Sequence, residues 1–272
     1  MGFFHRNDKL TAVLRRRGGG YAPPMARTAD TEAADIRALT MATASLGEAD
    51  VTSWLAMLDA GERARAERFP HATGRVSFVA AHALARTALA AATGAPPAAF
   101  GFRVGPHGKP EALLKGNPAG VSFSLSHTAG MVGVAVARAV VPLGFDLEAA
   151  GRIVPENVAR RCFAAAELDL LADLQASARS AALIRLWTLK EAFVKATGEG
   201  LARDLQSFRF RLAPPVIAFV AAETKPEKGW HFRQRLLPGG FVAATGWHGR
   251  GAVGWRRVRP EALAQVCRGV AW

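Results

Sequence analysis

Hydrophobic and polar positions along the chain fall into two successive runs of helix followed by strands. From Gly61 the spacing turns helical, first over "GERARAERF" and then over residues 74–94, "GRVSFVAAHALARTALAAATG". Strand-length alternation follows at 99–104, 121–126, 131–137 and 142–148. Helical spacing returns at "PENVARRCF", at "AAELDLLADLQ" and over the long segment 177–198. Strands are predicted again at 207–212, 216–222, 230–236 and 241–247. Both long helices run into Ala-Thr-Gly, a loop and a strand of alternating phenylalanines: "ALAAATGAPPAAFGFRV" and "AFVKATGEGLARDLQSFRFRL". Glycine past a helix end is a common stop, but the repeated order of elements predicts a pseudo-duplicated, two-half α+β protein. Each half is expected to pack a small antiparallel sheet against its long helix. The expected boundaries are a disordered basic tail over 1–40, halves over 41–142 and 143–259, and a tail or short helix over 260–272.

The second long helix breaks its own pattern. At ~100° per residue, Leu183, Leu186, Trp187, Leu189, Phe193 and Val194 form one apolar face, with Arg185, Thr188 and Lys195 on the opposite arc. Lys190 projects into the middle of that apolar face, and Glu191 lies at its edge. A buried charge without a partner is strongly destabilising, so both residues require something to face.

Composition narrows the setting. The chain has 272 residues, half of them hydrophobic, enough for a sizeable core. No apolar run approaches the ~20 residues of a membrane span, and the N-terminus lacks a secretory h-region. Cys162 and Cys267 have no metal-ligand spacing, and free thiols in a cytoplasmic protein are expected. Lys plus Arg exceed Asp plus Glu by 35 to 22, a net charge of +13 that favours anionic partners. Basic runs are not interleaved with aromatic residues and no nucleic-acid recognition motif is visible, so a basic nucleic-acid-binding protein is the alternative rather than the expectation.

Four segments carry candidate chemistry. In "GFDLE", Asp146 and Glu148 are two apart on a predicted strand and share one face. Two close carboxylates repel unless a cation lies between them, and oxygen donors without His or Cys suit Mg²⁺ or Mn²⁺. In "FSLSHTAG", Ser126 and His127 are adjacent, so a strand would point them to opposite faces; with no G-x-S-x-G elbow, a serine hydrolase is excluded and phosphate donors remain. In "GPHGKP", Lys109 sits in a glycine-bearing turn where it could meet a phosphate. Arg65, Arg68 and Arg75 around the first helix could extend an anion site. Each has a bland counterpart in an exposed strand, a capping serine, a surface turn or a solvated basic face.

In their order along the chain, these segments resemble the 4′-phosphopantetheinyl transferase superfamily, in particular its Sfp-type branch. The resemblance spans about Gly61 to Phe210 and rests on G-K-P at 108–110, "FSLSHT" at 123–128, "GFDLE" at 144–148, Phe163 to Glu167 as F-x-x-x-E, and "WTLKEAFVKATGEGL" at 187–201. It implies transfer of the phosphopantetheine arm of coenzyme A to a serine of an apo acyl or peptidyl carrier protein, releasing 3′,5′-ADP. It further implies that Asp146, Glu148 and Glu191 hold Mg²⁺ (or Mn²⁺) in the second half. Lys109, Ser126, His127 and Lys195 would meet the phosphates, with Asp146 at the metal and the diphosphate. Lys190 would face the diphosphate or an acidic neighbour, and Arg65, Arg75 and Arg103 the adenine end. Glu191 or a metal-bound water would serve as general base. A monomer is expected, because the second half would replace a partner subunit; nucleic-acid and membrane partners are not. The intact acids argue against the other alternative, an inactive carrier-binding paralogue. Cys162-Phe163-Ala164 departs from the family's usual F-F-S.

Overall fold

A computed structural model describes residues 34–105, 107–220 and 228–266. Its strands are β1 Ala34–Ala42, β2 Phe100–Val104, β3 Pro110–Leu114, β4 Asn117–Pro118, β5 Ser122–Thr128, β6 Met131–Ala137, β7 Leu143–Ala149, β8 Phe208–Leu212, β9 Pro215–Phe219, β10 Trp230–Leu237, β11 Phe241–His248 and β12 Gly251–Arg257. The helices are α1 Glu48–Thr52, α2 Ala60–Ala66, α3 Ala72–Thr93, α4 Glu156–Cys162, α5 Ala165–Ala172, α6 Ala176–Thr197 and α7 Pro260–Val266.

The duplication is visible in the sheets. One has the order β12-β1-β6-β5, the other β10-β11-β7. Thus β1, α3, the β2–β3 hairpin and the β5–β6 hairpin correspond in order to β7, α6, the β8–β9 hairpin and the β10–β11 hairpin. Helix α3 packs on one face of the first sheet through Leu39, Met41, Val132, Val134 and Val136. The other face, with Ala34, Ile36 and Ala38, lies against Phe145, Leu147, Ala243 and Trp247 of the second sheet. Helix α6 covers the remaining side of the second sheet with α4, α5, β8 and β9. Helix α3 is long and apolar enough to cross a membrane, but its apolar surface is buried in this core.

Both long helices stop where a left-handed glycine follows, Gly94 (φ 79°) and Gly198 (φ 76°), as the shared Ala-Thr-Gly predicts. A different constraint acts at Gly144. A Cβ there would lie 1.9 Å from the Ala192 carbonyl oxygen, so only glycine lets α6 lie directly on β7.

Three expectations are corrected. Residues 34–40, assigned to a tail, form most of β1, an inner strand of the first sheet; residues 1–33 lie outside the described residues. The halves do not divide at residue 142 alone, because β12 returns to pair in parallel with β1, from Ala34 beside Gly251 to Thr40 beside Arg257. That pair also makes the first sheet mixed rather than antiparallel. The predicted strand at 216–222 ends at Phe219, and 221–222 lie outside the described residues, as does Cys267.

Candidate active site

Strand β7 has β11 along one edge; among the described residues its other edge pairs with no strand. Side chains from both halves complete that edge. Val141 N–H, just before β7, donates to Ser122 Oγ (3.0 Å) and Phe145 N–H to Ser124 Oγ (2.9 Å). The Leu143 carbonyl accepts from Lys109 Nζ (3.1 Å) and the Phe145 carbonyl from Lys195 Nζ (3.1 Å). Serines at every second position of β5 therefore face β7, while Phe123, Leu125 and His127 alternate to the α3 side.

Asp146 and Glu148 project on the opposite side of β7 from Phe145 and Leu147, as the alternation predicts, and are almost wholly buried. Asp146 Oδ1 accepts from Ser126 Oγ (2.9 Å) and Lys195 Nζ (2.8 Å). Glu148 pairs with Arg152, whose guanidinium lies 5.2 Å from the Trp187 ring centre. Residues of both halves thus converge on one acidic strand: Lys109 and Ser126 from the first, Asp146 and Lys195 from the second. Lys109 Nζ also donates to the Ala196 carbonyl at the end of α6 (3.0 Å), and burial pulls this ammonium down to about 8. A cavity of about 340 Å³ opens beside Lys109, lined also by His107, Ser122, Phe123 and Gly198.

Glu191 lies half-buried one turn before Lys195, close enough for its charge to act on Cys162. Burial first, and Glu191 second, push that thiol up to about 11, so free Cys162 keeps its proton at neutral pH. The carboxylates of Asp146, Glu148 and Glu191 are hard oxygen donors, the chemistry that suits Mg²⁺ or Mn²⁺. Two of them are buried two residues apart, and each is paired with a cation, Asp146 with Lys195 and Glu148 with Arg152. Among the described residues no three His, Cys, Asp or Glu side chains enclose a metal site, and Lys195 and Arg152 hold the two strand acids instead.

Lys190 takes the second of its two expected partners, an acidic neighbour, and that neighbour lies away from the acidic strand. It pairs with Glu167 (2.8 Å), donates to the Leu205 and Phe208 carbonyls (2.7 Å each), and lies between the Phe163 and Phe208 rings. Burial holds its ammonium below the usual lysine range despite the opposing pull of Glu167. The glutamate of F-x-x-x-E is therefore its structural counter-ion; Glu167 also accepts from Phe210 N–H (2.8 Å) and caps α5 through Ala164 N–H (2.9 Å). Ser126, by contrast, faces the acidic strand, its O–H donating to Asp146 Oδ1.

The arginines occupy the first half. Helix α2 is tied to α3 by the buried Glu62–Arg86 pair (2.7 Å), and Arg65, one turn on, lies 5.5 Å from the Phe78 ring centre. Arg75 pairs with Glu48, and Arg103 with Glu111, its cross-strand neighbour in the β2–β3 hairpin. These contacts lie within the first half and do not reach β7. Ser122, Ser124 and Arg152 were not singled out by sequence; the Ser-x-Ser-x-Ser alternation on an otherwise apolar strand was the available signal for the first two.

Similarity to known proteins identifies the family. The chain is 31% identical over 205 residues to 4′-phosphopantetheinyl transferase HetI of Nostoc sp. (strain PCC 7120), an alignment covering 75% of this chain and 84% of that protein. The chain belongs to the 4′-phosphopantetheinyl transferase superfamily. The superfamily's profile matches residues 142–245, the segment from β7 to β11 that carries Asp146, Glu148, Glu191 and Lys195. A 4′-phosphopantetheinyl transferase of Bacillus subtilis is 32% identical over 170 residues, covering 62% of this chain and 71% of that one. The L-aminoadipate-semialdehyde dehydrogenase-phosphopantetheinyl transferase of Eremothecium gossypii is 31% identical over 215 residues, covering 76% and 72%. The chain is therefore an enzyme of the phosphopantetheinyl transferase type.

Proposed function

We propose that this enzyme moves the phosphopantetheine arm of coenzyme A onto a serine of an apo-carrier protein in the cleft along the open edge of β7. The observation that carries this is the convergence of Lys109, Ser126, Asp146 and Lys195 from two halves onto one acidic strand. The serine oxygen attacks the phosphorus that bears the arm, a new P–O bond forms, and the P–O bond to 3′,5′-ADP breaks. Lys195 and Lys109 would neutralise charge on the diphosphate bridge as it breaks and on the 5′-phosphate of the departing 3′,5′-ADP. Glu191, half-buried one turn from Lys195, is the carboxylate for the serine proton. Asp146, Glu148 and Glu191 would hold Mg²⁺ or Mn²⁺, which supplies further neutralisation of the diphosphate when bound. His127 lies on the α3 side of β5, the side that also carries Arg65 and Arg75; these would receive the 3′-phosphate end, with Arg103 further out.

Carrier proteins commonly have acidic surfaces around the acceptor serine, which a chain of net charge +13 would attract in a salt-sensitive manner. With both halves in one chain, a cytoplasmic monomer is the working form. The deciding experiment is the intact mass of apo-carrier protein after incubation with this protein, coenzyme A and Mg²⁺, with EDTA as control. A gain of one phosphopantetheine arm, lost with EDTA, supports the reaction and the metal together. No gain on fatty-acid, polyketide and peptide carriers, with no coenzyme A binding, removes the reading.

A further inference from the structure

The four groups that complete the open edge of β7 differ in what they can do next. In the proposed reaction Lys109 and Lys195 also serve the diphosphate, so donors now on the Leu143 and Phe145 carbonyls are drawn towards ligand. The serine contacts have no such second use. Ser122 holds Val141, before the strand begins, whereas Ser124 holds Phe145 N–H, immediately before Asp146 (3.0 and 2.9 Å). Ser124 is itself buried, and its neighbour two positions on, Ser126, bonds the Asp146 carboxylate. A slip of β7 along β5 would break both contacts at once and displace the carboxylate.

We propose that Ser124 is a positioning residue for the reaction: by accepting the Phe145 N–H it fixes the register of β7 against β5, and so the place of Asp146, while the lysines attend to the diphosphate. This rests on Asp146 belonging to the reaction centre. The test compares S124A, S122A, S124T and D146N in the carrier-transfer assay, with thermal melts and amide hydrogen exchange across residues 143–149. S124A is expected to lower kcat about tenfold or more, since small displacements of reacting groups are costly, with KM for coenzyme A within about twofold. Its amides across 143–149 exchange faster, S122A keeps kcat within about twofold at a similar loss of Tm, and S124T restores kcat. If S124A does not fold, S124C supplies a weaker acceptor of similar size and an intermediate kcat; wild-type kcat in S124C despite faster exchange overturns the proposal. So does an S124A variant whose kcat matches that of S122A while D146N has lost transfer. Transfer retained by D146N removes Asp146 from the reaction, and the underlying reading falls with the proposal.

Discussion

Lys195 donates to the Phe145 carbonyl and to the Asp146 carboxylate at once, binding the last turns of α6 to a strand backbone and to the charge that strand carries. One ammonium thus serves two adjacent residues of β7. The same side chain is therefore both part of the fold and part of the site.

Lys195→Met is expected to reduce transfer about 100-fold and to cost about 3 kcal/mol of stability, because it leaves the buried Asp146 charge without its cation. The double variant with Asp146→Asn should recover much of that stability and none of the transfer. Urea unfolding of the four proteins in the cycle, with carrier mass shifts, checks both parts. Equal stability of Lys195→Met and wild type would remove the ion pair as a structural element.

The other buried lysine on α6 should give the opposite signature. Lys190→Met strands Glu167 in the second core and is expected to cost about 3–5 kcal/mol. Turnover per folded molecule should remain near wild type at temperatures where the variant is folded. Lost turnover in a variant of wild-type stability would place Lys190 at the ligand after all.

Lys109 ties the first half to the Leu143 and Ala196 carbonyls while its folded value, about 8, lies below the ordinary lysine value of 10.5. Between these values the unfolded chain binds the proton and the folded chain does not, so this group's contribution to stability rises with pH from about 8 to about 10.5. Below pH 8 both states are protonated and the full penalty of burying the charge is present. Relative to Lys109→Met, wild type should therefore gain up to about 3 kcal/mol over that window. In parallel, the KM for coenzyme A should rise above pH 8 as the phosphate-facing charge is lost. Melts and initial rates from pH 7 to 10 measure both trends; a flat difference between the two proteins overturns the assignment.

Gly144→Ala is expected to cost at least about 3 kcal/mol, because the new methyl meets the backbone of α6 rather than a side chain able to move. Thermal denaturation of the variant is the check. A melting temperature unchanged from wild type would show that α6 can lift from β7.

Much of this molecule is legible in its sequence where a segment's own pattern suffices. The helices at 74–94 and 177–198 and the strands at 131–137 and 241–247 appear within one or two residues of their expected ends. The same-face placement of Asp146 and Glu148 follows from strand geometry alone. What escaped depends on distant partners. "ADIRALTMA" has only modest strand character and follows a basic tail, yet it becomes β1 because β6 and β12 flank it. "GAVGWRR" holds glycines and arginines and is a strand only because β1 accepts it. Lys190 was recognisable as anomalous, but its solution required Glu167, Leu205 and Phe208 to be brought beside it by a fold that no local pattern contains.

The pairing of β12 with β1 sets the order of assembly against the order of synthesis. The first half leaves the ribosome with its helix, its hairpins and three of its four main strands, but the outer flank of β1 stays open until β12 has been made. Any chain cut after the second half's acidic strand and long helix would keep Asp146, Glu191 and Lys195 yet leave that flank exposed. The inner place of β1 in its sheet therefore depends on β12, the last of the described strands in chain order.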